Sequence, residues 1–447
     1  LTKYRTAPVA SSAMPSGIPN IIANEAAERF SYYGMRAILV VFMTQHLMNS
    51  AGELDVMSEE EAKGYFHLFV SAVYMTPLLG ALVADGLLGK YRTIILLSLV
   101  YCLGHFALAV DDTRTGLLVG QGLIALGAGG IKPCVSSHVG DQFGRSNQHL
   151  MSPVFGWFYF SINLGAFLSM LIIPWLLDRY GASVAFAVPG LLMLLATLAF
   201  WSGRYKFVHI PAAGGGFIRE VFSAEGLKTM GKLSVIFLFV AMFWALFDQT
   251  GSSWVLQAQK MDRMVFGLEV LPSQIQAANP LLIMLLVPLF SFVVYPSVSR
   301  LMELTALRKI SIGMFVTCAA FAIPAWIQSQ IDLGLTPNIA WQVLAYIVLT
   351  SAEVMVSITC LEFAYTQAPK KMKSFIMAFF LMSVALGNLF TSAVNFVILN
   401  QDGSSKLAGA SYFWFFTGLM FATAIVFLWV IRSYQEVSYV QDEQPLA

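Results

Sequence analysis

The sequence predicts an all-α membrane protein with twelve transmembrane helices in two six-helix bundles. Three observations carry this reading. Of 447 residues, 57% are hydrophobic and only 11% charged, whereas about 25% of a soluble domain is charged. Mean hydropathy is +0.71, an apolar load that an aqueous core cannot hide but a bilayer can. Apolar stretches also recur along the whole chain, each long enough for the roughly 20 residues that cross a hydrocarbon core.

Turn and charge signals bound the spans at 21–49, 62–88, 91–110, 115–140, 151–177, 183–204, 231–258, 276–300, 308–330, 338–367, 372–400 and 409–433. A polar connection from Tyr205 to Met230 separates two sets of six and contains the flexible run Ala212-Ala213-Gly214-Gly215-Gly216. The expected organisation is a first bundle over residues 1–205, a cytoplasmic linker over 206–230 and a second bundle over 231–447. Leu1 to Asn20 is polar and broken by proline, a short tail without the apolar core of a signal peptide. Pro77, Pro133, Pro174, Pro189, Pro280, Pro288 and Pro324 lie within spans. Each removes a backbone hydrogen bond and favours a bend.

Charge sets the orientation. With both ends on the cytoplasmic side, seventeen of the 26 basic residues fall inside and six outside, a bias that supports cytoplasmic termini. The first outer loop is acidic (Glu53, Asp55, Glu59, Glu60, Glu61). A net charge of +1 leaves no basic stripe for a nucleic acid. Cys102, Cys134, Cys318 and Cys360 lie in apolar runs without metal-ligand spacing and read as packing residues.

The remaining basic residues, Arg29, Arg36 and Lys132, fall within spans, as do Glu25, Glu28, Asp248, Glu353 and Glu362. A charge at the bilayer centre costs about 2.5–3.5 kcal/mol, so eight facing lipid would cost on the order of 20 kcal/mol. They must face protein or a water-filled cavity, where ionisable groups are functional candidates. Glu25 and Glu362 lie near span ends, where water can reach. In the first span Glu25, Glu28/Arg29, Tyr32/Tyr33 and Arg36 recur every three or four residues. That spacing makes one polar stripe rising about 16 Å. His67 and Tyr74 stand seven residues apart on one face of the second span. Lys132 sits in Gly129-Gly130-Ile131-Lys132-Pro133, where glycines permit close helix approach and a buried ammonium calls for a carboxylate partner or a ligand. Asn163, Asn279 and Asn388 add neutral donors and acceptors, Asn388 reading best as helix-packing glue. The turn Gly80 to Arg92, with Asp85 and Lys90, suits an inter-helix charge lock and lacks the pattern of a P-loop.

Four motifs, Glu25-x-x-Glu28-Arg29-Phe30, Gly129-Gly130-Ile131-Lys132-Pro133-Cys134, Phe243-Trp244-Ala245-Leu246-Phe247-Asp248-Gln249 and Leu361-Glu362-Phe363-Ala364-Tyr365, together resemble the proton-dependent oligopeptide transporter family of the major facilitator superfamily. The resemblance runs from residue 18 to residue 400, with the motifs in the expected order. His67 and the Phe-Trp-Ala-Leu-Phe-Asp run place it nearest the branch with the animal di- and tripeptide carriers. Gln330 to Asn338 is too short for the extracellular domain of animal members, and Tyr205 to Met230 for the two extra helices of many bacterial ones, so a compact bacterial member of the inner membrane fits best.

The resemblance implies a symporter that imports di- and tripeptides with the proton as coupling ion and no other cofactor. Its implied partners are peptide, protons and membrane lipid, with no obligate protein partner. Arg36 and Lys132, helped by Tyr33, would hold the peptide carboxylate. Glu353, with Asn163 and Asn279, would hold its amino group, and Tyr32 and Tyr74 would line the region between. Glu25, Glu28 and Arg29 would couple to the proton, with His67 and Asp248 as a second, extracellular-side proton site or gate. Where some bacterial members carry a glutamate one turn before Asp248, this chain has Trp244, which leaves a gate at that level to Asp248 or to the Glu25/Glu28 group.

Other classes fit less well. Glu353 would repel a nitrate-like anion, and the chain lacks HExxH, GxSxG and Gly-x-Gly-Asp signatures of intramembrane enzymes. A non-transporting nutrient sensor would use the same pocket.

Overall fold

The structure, a computed structural model, describes residues 4–212, 223–367 and 373–434. The Ala213–Gly216 part of the linker and both chain ends lie outside the described residues.

Six helices form the first set: α1 (Ile18–Gln45), α2 (Glu59–Val83), α3 (Lys90–Val110), α4 (Arg114–Gly140), α5 (Met151–Tyr180) and α6 (Ala182–Ser202). The second set begins with α7 (Ala224–Phe247), which continues through a 3-10 turn, Asp248–Gly251, into α8 (Ser253–Ala258). After a two-residue-per-strand hairpin, β1 (Met264–Val265) and β2 (Leu268–Glu269), come α9 (Ala278–Leu289), α10 (Tyr295–Ser299), α11 (Ala306–Asp332), α12 (Ala340–Glu353), α13 (Thr359–Gln367), α14 (Lys373–Ile398) and α15 (Ala410–Val430). Among the described residues eleven helical stretches are long and apolar enough to cross a bilayer. The 28-residue α1 is the twelfth long helix, distinguished by four buried or half-buried charges, Glu25, Glu28, Arg29 and Arg36.

Local chemistry explains the helix starts. Ser58 accepts a hydrogen bond from the Glu61 amide, and Glu59, Glu60 and Glu61 place negative charge on the positive end of α2. Thr113, Ser223 and Thr305 cap α4, α7 and α11 in the same way. Large apolar side chains such as Leu103, Phe106, Leu285 and Trp429 are exposed, as expected of a surface solvated by lipid tails.

Besides the 3-10 turn in the seventh span and a π turn, Ala84–Leu88, at the end of the second, two π turns in the second set depart from a simple helix-per-span reading. The eighth span bends through a π turn, Phe290–Val294, just after Pro288. The tenth breaks at another, Val354–Ile358, which starts at the residue after Glu353. No proline or glycine lies between Ala340 and Gln367, so of these two π turns only the one after Pro288 has a sequence signal.

Two large hydrophobic cores result, with a small cluster, Ala37, Met170 and Ala277, between the sets and another around Ile283, Phe290 and Val354. One large core is built from residues between Ile18 and Phe207 and also takes in Val255 and Leu256; the other runs from Leu233 to Phe427. The sets meet where α2 packs on α14 and α5 on α9. Their polar ties run from mid-depth to the end where α1 finishes. Ser71 Oγ donates to the Ala385 carbonyl (2.9 Å), Ser392 Oγ to Gly64 (2.8 Å) and Gln276 Nε2 to Ala37 (3.0 Å), and Lys260 pairs with Glu59 at 2.7 Å. Within the first set, a Cβ on Gly80 would overlap Gly130 Cα, so α2 and α4 cross backbone to backbone beside Lys132.

Candidate functional site

The first stripe of charge lies on α1. Arg29 Nε donates to Glu25 Oε1 at 2.7 Å and lies 3.4 Å from Glu28 Oε2. Glu25, whose position near the span end suggests wetting, is instead 1% exposed, and Glu28 is fully buried. Neither Glu28 oxygen, nor Glu25 Oε2, has a hydrogen-bond partner. One guanidinium thus faces two carboxylates in an apolar interior, a charge balance that a proton or a second cation completes.

Lys132 is the nearby second cation, but the carboxylate partner expected for it is not in contact. Its Nζ has no hydrogen-bond partner and lies over the rings of Tyr32 (4.0 Å) and Tyr74 (4.7 Å). The two faces stabilise the ammonium through their quadrupoles. The tight α2–α4 crossing at Gly80 and Gly130 brings Lys132 of α4 to Tyr74 of α2.

Further along α1, Arg36 Nη2 meets Asp248 Oδ1 at 2.5 Å, in a buried ion pair that joins the two sets. Asp248 stands at the break between α7 and the 3-10 turn. Its other oxygen accepts from Asn388 Nδ2 at 2.6 Å; Asn388 Oδ1 faces His67 Nδ1 at 2.7 Å, and His67 Nε2 meets Ser252 Oγ at 2.8 Å. These contacts settle the tautomer. A carboxylate only accepts, so the Asn388 amide must face Asp248 and its carbonyl oxygen must face His67. Nδ1 therefore carries a proton, and in the neutral ring Nε2 accepts from Ser252. Asn388, expected as packing glue, is instead the bridge between His67 and Asp248. Sequence reasoning missed it because an asparagine within an apolar helix looks the same in either role.

A cavity of about 190 Å3 opens between the sets, lined by Tyr33, Arg36, Tyr74 and Asn163 from the first and by Trp244, Asp248, Asn279 and Glu353 from the second. That is below the roughly 300–1,000 Å3 of drug-sized pockets and suits a small solute. Glu353 Oε2 accepts from Asn279 Nδ2 at 2.7 Å, and Asn279 also donates to Thr350. Asn163 lines the cavity and donates to the Tyr159 carbonyl of its own helix at 2.9 Å. Tyr32, expected to line the site, is fully buried, and it and Lys132 lie behind Tyr74 rather than among the lining residues. Trp244 lines the cavity with its Nε1 unpartnered. Tyr159, Gln276 and Tyr346 also line it, though nothing in their sequence context separates them from ordinary core residues.

The charge lock predicted at the α2–α3 turn exists with a different acid: Lys90 pairs with Asp141 at the end of α4 at 2.7 Å, not with Asp85. Glu362 is exposed, as its position at a span end suggests. The side chain of Tyr365, last in the fourth motif, lies outside the described residues.

A two-bundle helical fold around a polar cavity, with charges from both sets facing it, is a multi-pass membrane architecture of the major facilitator superfamily fold. The family model described as PTR2, POT family, matches residues 91–225 and 218–414, and the chain belongs to that family. It is 36% identical to peptide transporter family 1 of Drosophila melanogaster, over 71% of this chain and 48% of that protein. It is also 36% identical to human solute carrier family 15 member 2, over 72% of this chain and 50% of that protein. The chain thus spans about half the length of the curated relatives it matches. Among solved structures, the POT family transporter PepTSo, crystallised in meso, superposes with a TM-score of 0.85 at 38% identity, covering 94% of this chain and 99% of that one. An auto-inhibited POT family peptide transporter superposes at 0.86 with 36% identity, covering 96% and 99%.

Proposed function

We propose that the protein is a proton-coupled symporter that imports di- and tripeptides by alternating access, in a bacterial inner membrane with both termini cytoplasmic. The observation that carries this reading is the opposition of charge across the cavity. Glu353, in the second set, lines the cavity and holds a single hydrogen bond from Asn279, while Arg36 and Tyr33 of the first set line it too, with Lys132, a buried ammonium without a hydrogen-bond partner, behind Tyr74. A zwitterion with its amino group at Glu353 and its carboxylate toward Arg36 and Tyr33, with Lys132 behind Tyr74, satisfies both poles, which neither a simple anion nor a simple cation does. The names of the relatives, peptide transporters and solute carriers, support the same class.

Arg36 then has two states. It is bound to Asp248 with the peptide absent, and a peptide carboxylate offers it a competing partner. Protonation of Asp248, whose carboxylate is joined to His67 by the Asn388 bridge, or of a carboxylate in the Glu25/Glu28 pair, frees the neighbouring guanidinium. No cofactor beyond the proton enters this scheme. One proton moving down 100 mV supplies about 2.3 kcal/mol, and one pH unit adds about 1.4 kcal/mol. Together they support an accumulation of about several hundred-fold for a neutral peptide.

The test is uptake of labelled dialanine by proteoliposomes, with and without an inward proton gradient. Gradient-driven accumulation, abolished by a proton ionophore and competed by unlabelled di- and tripeptides, is the expected result. Peptide binding without uptake in tight, correctly oriented vesicles indicates a sensor. Absence of both overturns the peptide reading and makes nitrate the next solute to test.

A further inference from the structure

At the end of the first set where α1 begins, away from the central cavity, the chain builds a second polar cavity. The segment after α6 doubles back along the segment before α1. The His209 amide donates to the Arg5 carbonyl at 2.8 Å, and Gln142 of the α4 end holds Val208 through its side-chain oxygen at 2.9 Å. The space between this strap and the start of α3 measures about 430 Å3 and is lined by Tyr4, Lys90, Arg92, His138 and His209, with Gly89 at its floor.

Four features converge on it. The 21-residue α3 starts there with Gly89 as its N-cap, at φ +78° and with no side-chain cap, so its first-turn amides meet the cavity at the positive end of the helix. Arg92 is exposed and forms no ion pair among the described residues. His209 is fixed between the Tyr4 and Tyr91 rings (4.2 and 4.6 Å), and its Nε2 donates to the Arg204 carbonyl at 2.7 Å; Nδ1, the lone-pair nitrogen of the neutral ring, is unused and becomes a donor when the ring takes up a proton beside an anion. His138, 1% exposed and wedged against Phe200 and Phe207, lines the same cavity with an Nε2 that has no partner. A buried, unsatisfied imidazole nitrogen is costly unless something bonds it.

The nearby acids do not neutralise this set. Asp141 is committed to Lys90 at 2.7 Å, and Asp85 lies within reach of that same pair and not among the lining residues. The rim is apolar, with Leu87 76% exposed and Ile210 40% exposed.

We propose that this cavity binds a phosphate group, through the first-turn amides of α3, the side chains of Arg92 and His138, and His209 as an imidazolium. The apolar rim suits the glycerol backbone and chain ends of an anionic phospholipid, while the inner donors would equally take free phosphate.

The test is thermal unfolding of the full chain in neutral detergent, titrated separately with dioleoylphosphatidylglycerol, dioleoylphosphatidylcholine and inorganic phosphate. The expected result is a saturable rise in Tm with phosphatidylglycerol that exceeds the response to phosphatidylcholine. In Arg92→Gln/His209→Gln its apparent affinity falls about tenfold or more, while Lys206→Gln, an exposed residue outside the lining, keeps it. A saturable rise with inorganic phosphate alone, lost in the same double variant, also supports the site and assigns it to the free anion. Equal responses in the double variant and the unaltered chain overturn the proposal, as does an equal loss in Lys206→Gln, which marks diffuse surface charge. No saturable response to either phosphate source overturns it outright.

Discussion

At the scale of residues, the inter-set chain His67–Asn388–Asp248–Arg36 is a series of donors and acceptors with no slack. Replacing Asn388 by leucine keeps the side-chain size but leaves one face of His67 and one oxygen of Asp248 unsatisfied. We expect proton-driven uptake to fall about tenfold or more, with peptide counterflow less affected, measured side by side in the same vesicles. Glu28→Gln is expected to retain counterflow and lose gradient-driven accumulation; loss of both would assign Glu28 a structural role. Glu353→Gln removes the charge opposite the peptide amine. It should weaken binding of peptides with a free amino terminus by about tenfold, the scale of a charge-assisted hydrogen bond. N-blocked peptides should bind as before, and equal weakening of both would remove that assignment.

At the scale of elements, the α2–α4 crossing and the break in the tenth span position the polar groups. Gly80 and Gly130 let two backbones touch, which places Tyr74 over Lys132. Gly80→Val inserts three carbons where a single one already overlaps and should destabilise the protein by roughly 2–3 kcal/mol. Gly122→Ala on the same α4 has open space and should leave the thermal midpoint within a degree or two of the unaltered chain. The π turn at Val354–Ile358 adds a residue to one helical turn directly after Glu353, which rotates that side chain relative to the rest of the span. π turns of this sort gather at functional sites, and this one joins an acidic group to the cavity lining.

At the scale of the whole molecule, the polar ties between the sets lie toward one end, and the cavity lies at mid-depth beside them. Alternating access then requires that seam to open. Cysteines at Ser71 and Ala385, adjacent across α2 and α14, should allow a cross-linker to hold it shut. We expect uptake to stop on cross-linking and to return on cleavage of a reducible linker. The four native cysteines are buried or half-buried and distant from that seam in sequence, and alanine replacements provide the background. Uptake that continues in fully cross-linked protein would show that the seam does not move.

Membrane insertion, the long apolar helices and the charged stripe of α1 were legible from the chain itself, because lipid solvation acts on each segment separately. A run of apolar residues with helical spacing has one low-energy state in a bilayer, and a charge within it must face inward. A close helix approach at Gly129-Gly130 was legible too, since glycine pairs beside a lysine have few other uses in a membrane helix, but that α2 is the neighbour was not. Partner identity was a different matter. Nothing local distinguishes Asn388 as a bridge from Asn388 as packing, pairs Lys90 with Asp141 in place of Asp85, or sets Lys132 over two rings instead of a carboxylate. Nor does any residue between Ala340 and Gln367 announce the turn after Glu353. Those outcomes depend on which helices lie side by side and at what depth. Side-chain hydrogen bonds and cation–ring contacts reach only a few ångströms, so only the assembled bundle decides which of several chemically equivalent partners is met.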